Sequence, residues 1–555
     1  MAKLNKSFNL EELVAYEHAY GGKLTRTRQI QLIGFPVIML GVFGFILTQS
    51  LLVSFIMATA GVIAGYLWLL PRQVRENYFE ASYVQRNSLI NQLSQSMLDE
   101  SRTYDRALIL ARDSIEGETD EASPDYNELK ADLNVLIGQL MRRPGPSEIK
   151  RAFRDFESAY AYDDLFVLFF EQIETKVLEG YINEAVLEEL MKQHNSLYEE
   201  QTRYNAGLAS KQREFRLISI IMAGVLWFTA SQVMSALGKT VRDAYFKSPL
   251  GWTIASIFGV AYILLMFYFY QKYFDRNLMS LTASRDKLVK VFEIRPYDDK
   301  QAEEINQFRN RPVNKLVMRL LSEREHKMFQ KLNLSIVDEI NFQRKRVLRS
   351  IAGFFIGFVL IDVFKTYWSW SLPLVLGLGL FYLSHRKLKT LVDGWTLNRE
   401  VAFAKFMRLL TPYLLSGTNL NAYRLFEQIG SRLNSDDDRR MVSYLLESLR
   451  LNPGKEEPYT DFARAYSGNP RAVTRMSSIY GILNTRGSKA VIETLARQAD
   501  EEFMEQVRKI AKRKINSLGV ISTLTFMVGM LPLFGMLASL LFLTIKPLFD
   551  GGLGF

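Results

Sequence analysis

The stretch Asp155-Phe156-Glu157-Ser158-Ala159-Tyr160 returns in the second half of the chain as Asp461-Phe462-Ala463-Arg464-Ala465-Tyr466, with the acid, both rings and the alanine between them kept in place. Ala185-Val186-Leu187-Glu188-Glu189-Leu190 follows it in the first copy, and Ala490-Val491-Ile492-Glu493-Thr494-Leu495 follows at nearly the same remove in the second. Further on, again at matched distance in each copy, an apolar run contains Gly224-Val225-Leu226 or Gly529-Met530-Leu531. Three echoes in one order, each placed alike relative to an apolar block, define an internal duplication. A repeat of this kind sets the unit that folds, so it precedes any assignment of fold.

Apolar residues make up 48% of the 555, gathered in blocks between strongly charged stretches, which is the distribution of an integral membrane protein with large aqueous domains. There is no cysteine, which excludes disulfides and thiolate metal sites. The net charge of +10 collects beside the apolar blocks, where anionic lipid headgroups attract it. Membrane lipids are therefore expected partners. Direct binding of nucleic acid is not, because no basic stripe interleaves with aromatic residues.

About 20 apolar residues cross a bilayer core. Residues 31–71 hold twice that length, broken by Thr48-Gln49-Ser50, and read as a membrane hairpin behind a polar cytoplasmic segment, 1–30. A second hairpin occupies 217–270, and a third 350–384, whose loop carries Tyr367, Trp368 and Trp370. The C-terminal membrane segment, 517–555, contains the run Leu518 to Leu548 with Pro532 inside it, and reads either as one tilted, kinked span or as a shallow hairpin. Seven or eight crossings result. Basic clusters flank these blocks at Lys23, Arg26 and Arg28, at Arg72 and Arg75, at Lys211, Arg213 and Arg216, at Arg344 to Arg349, and at Arg508 to Lys514. Lys/Arg excess marks the cytoplasmic side, so these flanks are assigned there, against one loop with Lys239, Arg242 and Lys247 outside. Three cytoplasmic stretches remain: helical domain 1 at 72–216, a helical connector at 271–349, and helical domain 2 at 385–516. The fold class is thus all-α, a polytopic membrane protein with two repeated helical-bundle domains.

Within each bundle, Asp155, Phe156, Ala159 and Tyr160, and their counterparts Asp461, Phe462, Ala465 and Tyr466, are assigned to the structural core of the repeat, with the rings inside and the acid capping or facing solvent. The steps Val491, Ile492, Leu495, Ala499, Phe503, Val507 and Ile510 place one apolar stripe along a helix. Val186, Leu187, Leu190, His194, Leu197 and Tyr198 do the same in the first copy. Both helices end in a basic cluster and run into an apolar block, which makes them coupling helices between bundle and membrane. Ser435-Asp436-Asp437-Asp438 has the composition of a helix N-cap.

Recognisable chemistry is missing. The four histidines, His18, His194, His326 and His385, fall at no ligand spacing, and no phosphate-binding loop or nucleophile elbow occurs. The span interiors carry no acid or base of the kind a proton-coupled transporter needs. No catalytic, metal or cofactor residue is assigned, and the chain is expected not to be an enzyme.

Hairpin, helical domain and hairpin in tandem resemble the type II secretion F family, the inner-membrane platform proteins of type II secretion, type IV and Tad pili and archaeal flagella. Leu415-Ser416-Gly417-Thr418-Asn419-Leu420-Asn421-Ala422 is similar to the family's small-residue turn, and Arg486-Gly487-Ser488 through Leu495-Ala496 to its second helix–Gly–helix junction. Gly180 takes a like place in the first copy. The resemblance implies a non-enzymatic platform in the cytoplasmic membrane that docks a hexameric secretion ATPase, receives pilin or pseudopilin subunits and forms homo-oligomers. A membrane transporter and a membrane-bound signalling scaffold are the alternative readings.

Overall fold

The computed structural model describes residues 26–98, 103–120, 127–142, 144–160, 163–180, 183–236, 238–274, 276, 278, 312, 322–331, 336–364, 372–415, 421–433, 436–467, 469–485 and 489–552. Most of the expected connector at 271–349, the turn residues 416–420 and the junction 486–488 lie outside the described residues. Every extended element that is described is helical, so the fold is all-α. The chain divides into two compact units, one of residues 1–281 with 507–555 and the other of residues 282–506.

The first unit opens on helix α1 (Arg26–Thr48) and α2 (Leu51–Ala64). Between them Gln49 takes a left-handed backbone, φ 52°, and the chain reverses. The two helices approach closely because glycines face the contact. A Cβ on Gly44 would stand 3.1 Å from the Ser54 Cα, and one on Gly61 3.0 Å from the Val37 Cα. Ser54 Oγ donates to the Gly41 carbonyl at 2.7 Å. Between two apolar helices, small residues and an interhelical hydrogen bond of this kind allow close packing. A π-helical turn, Gly65–Leu69, leads into α3 (Leu70–Leu98), which is polar enough to leave the apolar zone.

Four short helices follow: α4 (Tyr104–Asp113), α5 (Glu128–Leu140), α6 (Pro146–Ala159) and α7 (Asp164–Glu179). Their ends are written locally. Asn127 and Asp163 accept from the N–H groups of Lys130 and Phe166, Pro146 starts α6, and Gly180, at φ 78°, ends α7. Phe153, Phe156, Phe166, Phe169 and Phe170 fill the bundle core. Then α8 (Glu184–Phe228), capped by Asn183, runs 45 residues without a break. The chain returns through α9 (Lys239–Phe246) and α10 (Pro249–Tyr273). The loop expected at Lys239 to Lys247 is thus itself largely helix.

The second unit begins with α11 (Glu323–Lys331) and the hairpin of α12 (Ile336–Phe364) with α13 (Leu372–Leu415). The hairpin uses the same device as the first. A Cβ on Gly353 would stand 3.1 Å from the Leu376 carbonyl oxygen, and Ser350 Oγ donates to the Gly377 carbonyl at 2.8 Å. Four short helices again follow, α14 (Ala422–Arg432), α15 (Asp436–Leu451), α16 (Glu457–Tyr466) and α17 (Pro470–Thr485). The last helix, α18 (Lys489–Gly552), has 64 residues, of which 489–506 belong to this unit and the rest to the first.

The succession of elements therefore repeats, and so does one contact inside it. Tyr160 Oη donates to Asp132 at 2.8 Å, and Tyr466 Oη donates to Asp438 at 2.7 Å, each tyrosine 28 residues after its acid. Asp438 is accordingly a buried bond acceptor for α16, where the sequence pattern had placed it in a solvated cap. The reason is helical period, since the third residue of α15 turns inward.

Among the described residues three helices are long and apolar enough to cross a membrane, within Glu184–Val233, Gly251–Tyr273 and Ala490–Ala538, and two shorter apolar helices lie at Gly34–Thr48 and Leu51–Ile63. The shallow-hairpin reading of Leu518 to Leu548 fails, because α18 passes through Pro532 unbroken. A proline inside an apolar helix forfeits one backbone bond, which the surroundings absorb.

Phe462 is fully buried and rests against Phe406, ring centroids 5.2 Å apart, while Asp461 faces solvent beside Arg464. Phe462→Ala is expected to cost about 3–5 kcal/mol, and Asp461→Ala less than about 0.5 kcal/mol. Denaturant melts of the detergent-purified variants measure the difference, and equal losses at the two positions would contradict this packing.

Candidate functional site

The two long helices carry the assigned coupling residues, and they begin differently. On α8, Val186, Leu187 and Leu190 are buried, followed by His194 and Leu197. On α18, Leu495, Ala499, Phe503 and Val507 are buried, Ile492 is half-buried, and Val491 is exposed. The covered stripe of α18 thus starts one turn later than its spacing predicted, and Val491 does not belong to it. The echo motif also divides. Phe156 and Tyr160 point inward, with Phe156 packed on Phe170 at 4.5 Å between centroids, whereas Asp155 is exposed near Arg151. Ala159 and Ala465, expected in the repeat core, are both exposed. They follow Asp155 and Asp461 by one helical turn, and positions four apart share a helix face.

Polar pairs fasten each long helix to the helix that leaves the preceding hairpin. In the first unit Asn91 and Asn195 exchange reciprocal amide bonds at 3.0 Å, joining α3 to α8. In the second unit the link between α13 and α18 is ionic. Arg408 Nε lies 3.3 Å from Asp500, and its guanidinium sits 4.7 Å over the Phe503 ring.

A deeper cluster ties α3, α7 and α8 together. Arg86 Nε donates to Asp163 Oδ2 at 3.0 Å, with side-chain exposures of only 6% and 3%, and its Nη1 donates to Ser82 at 2.6 Å. His194, wholly buried, pairs through Nδ1 with Asn87 Oδ1 at 2.7 Å and stacks on Tyr83, and its Nε2 lies 3.8 Å from Asp163. Burial alone would raise the Asp163 carboxyl. The His194 ring, the Arg86 guanidinium and the Phe166 N–H outweigh it and hold the group well below the usual carboxylate range. At the foot of the third hairpin, Glu325 accepts from Arg346 and pairs with His385, both at 2.7 Å, and His326 meets Glu339 at 2.8 Å. Burial would again raise Glu325, and His385, the Ser322 N–H and Arg346 together lower it. Each described histidine therefore faces a carboxylate.

This arrangement builds rigidity. Among the described residues no three His, Cys, Asp or Glu side chains gather to hold a metal ion. The bundles are packed bodies whose last helices continue into apolar segments. At about 1.5 Å per residue, the 45 residues of α8 extend roughly 68 Å, more than twice the roughly 30 Å hydrocarbon core of a bilayer. The sequence reading missed Asp132, Asp438, Arg86, Asp163, Arg408 and Asp500. For the first two a signal existed, the shared 28-residue spacing to Tyr160 and Tyr466.

No protein-family model matches the chain, and no solved structure does. Two proteins of Bacillus anthracis, both described as uncharacterized, are similar to parts of it. The protein pXO2-23 is 27% identical over 285 residues, 51% of this chain and 96% of that protein. The protein pXO2-22 is 28% identical over 203 residues, 36% of this chain and 80% of its own length.

Replacing Asp163 by Asn leaves the Arg86 guanidinium buried without a counter-charge, which is expected to destabilise the fold by about 3–5 kcal/mol. The pH dependence follows from the lowered Asp163 value. Its contribution is fully present above the ordinary carboxylate pKa, near 4, and is lost as pH falls below that toward the folded value. Thermal melts of wild type and Asp163→Asn should therefore differ at pH 7 and converge as pH drops below about 4. A gap that stays constant down to acid pH would contradict the pairing.

Proposed function

We propose that this chain is a non-enzymatic assembly platform in the cytoplasmic membrane, of the type II secretion F kind, in which two cytoplasmic bundles couple a hexameric ATPase to the insertion of pilin or pseudopilin subunits into a filament. The observation that carries this reading is the repeated order of close glycine-faced hairpin, four short helices and one unbroken helix continuing into an apolar segment. A machine that takes energy from a separate motor needs a docking body outside the membrane and a stiff path into it. Both bundles have that form, and their fastening pairs, Asn91–Asn195 and Arg408–Asp500, sit where a helix under load would otherwise peel away. The hairpins 31–71, 217–270 and 350–384 and the segment 517–555 then form the multi-pass membrane part, with the bundles on the side of the basic flanks. Homo-oligomerisation and contact with anionic lipid belong to the same reading.

A rigid helix passes a tilt or rotation of its bundle to its span, whereas a flexible joint absorbs it. Inserting Gly-Gly at Ala209 or Ala511 is therefore expected to abolish filament assembly while leaving membrane insertion and ATPase binding intact. Electron microscopy of surface filaments, alongside pull-down of the ATPase from solubilised membranes, reads both outcomes. Normal filaments from the insertion variants would rule out the coupling, and ATP turnover by the purified chain alone would rule out the platform.

A further inference from the structure

Just ahead of its apolar stretch each long helix carries the same pattern, Glu200-Gln201-Thr202-Arg203 on α8 and Glu505-Gln506-Val507-Arg508 on α18. The offset from Glu200 to Glu505 equals that from Val186 to Val491 in the coupling stripes, so the pattern belongs to the duplication. The structure takes one residue from each copy: Arg508 Nε donates to Glu200 Oε2 at 3.0 Å, where the Glu200 side chain is 9% exposed.

Below this pair, α8 and α18 meet at three further levels. A Cβ on Gly207 would stand 2.6 Å from Ile515 Cδ1, one on Gly519 3.4 Å from Lys211 Nζ, and one on Gly529 would overlap the Met222 sulfur. The ion-paired residues are separated in sequence by 308. Gly207 with Ile515 and Lys211 with Gly519 keep that separation, and Met222 with Gly529 falls short of it by a single position. A constant separation means parallel helices held in one register. Because this separation exceeds the Glu200-to-Glu505 repeat offset by less than one turn, residues that meet across the joint are near-equivalent members of the two copies. Glu200 is also approached from its own helix, by Arg203 Nη1 at 3.6 Å, so the arginines of both patterns converge on one buried carboxylate. Beneath it the glycines leave room for side-chain ends of the facing helix, Ile515 Cδ1 at Gly207 and the Met222 sulfur at Gly529.

We propose that the Glu200–Arg508 pair, with the side-chain contacts beneath it, is an internal clasp that fixes the parallel register of α8 and α18 by joining near-equivalent turns of the two repeats. This stands independently of the secretion reading, since it concerns how the copies join and not what they export.

The chain's lack of cysteine makes the register testable in the full-length protein in its own membrane. Under mild oxidation, Gly207→Cys with Ile515→Cys should form an intramolecular disulfide, found by peptide mapping, while Gly207→Cys with Gly519→Cys, one turn out of register, should not. Met222→Cys with Gly529→Cys, positions that also meet, is a second in-register pair should either substitution at the first impair folding. Adding Glu200→Arg or Arg508→Glu should lower the in-register yield several-fold, and combining the two should restore it. Equal closure of the out-of-register pair would overturn the proposal. So would a double charge reversal no better than the single ones, or a cross-linked product at twice the mass of the chain.

Discussion

A helix satisfies its backbone polar groups from within, and this lets α8 and α18 pass from a packed polar bundle into an apolar segment without a joint. Any other backbone would have to be re-solvated or paired at that boundary, where lipid offers neither donor nor acceptor. The rest of the structure is arranged around this continuity. The short helices of each bundle pack on the first turns of a long helix, and the polar pairs at Asn91–Asn195 and Arg408–Asp500 fix those turns to the helix emerging from the hairpin. The glycine contacts within α1–α2 and α12–α13 keep each hairpin a single body.

The bundles are similar in plan and different in how they are locked. The first holds a buried Arg86–Asp163 pair with His194 and Asn87 around it. The second packs Phe406, Phe462 and Tyr466 together and pairs Arg408 with Asp500. A buried ion pair adds little net stability over a well-packed apolar substitute, but loss of one partner is severe. The Tyr–Asp bond common to both, Tyr160–Asp132 and Tyr466–Asp438, survives this divergence because it pins α6 or α16 to the helix just before it, a contact that any rearrangement of the lock must still respect.

Much of this was legible in the sequence, for physical reasons that differ by element. The hairpin break at Thr48-Gln49-Ser50, the cap at Asn183, the stop at Gly180 and the start at Pro470 are local, and local chemistry determined them. The inward turn of Phe156, Tyr160, Phe462 and Tyr466 follows from helical period. The exposure of Val491, the inward role of Asp438 and the Arg86–Asp163 pair were not legible, because each depends on which helix covers a given face. Those contacts join residues far apart in the chain, and a one-dimensional pattern holds no record of them unless it is repeated.

Repetition is where such a record exists. The 28-residue spacing from acid to tyrosine and the Glu-Gln-x-Arg pattern each occur twice, at positions that the duplication makes equivalent. A single occurrence of either is indistinguishable from surface composition. Two at matched places mean that both copies kept the same demand while their cores and locks changed around it. For the tyrosines that demand lies inside one bundle. For Glu200 and Arg508 the contact joins α8 to the stretch of α18 that belongs to the same unit, so it links two long helices whose bundles have otherwise drifted in loop and core.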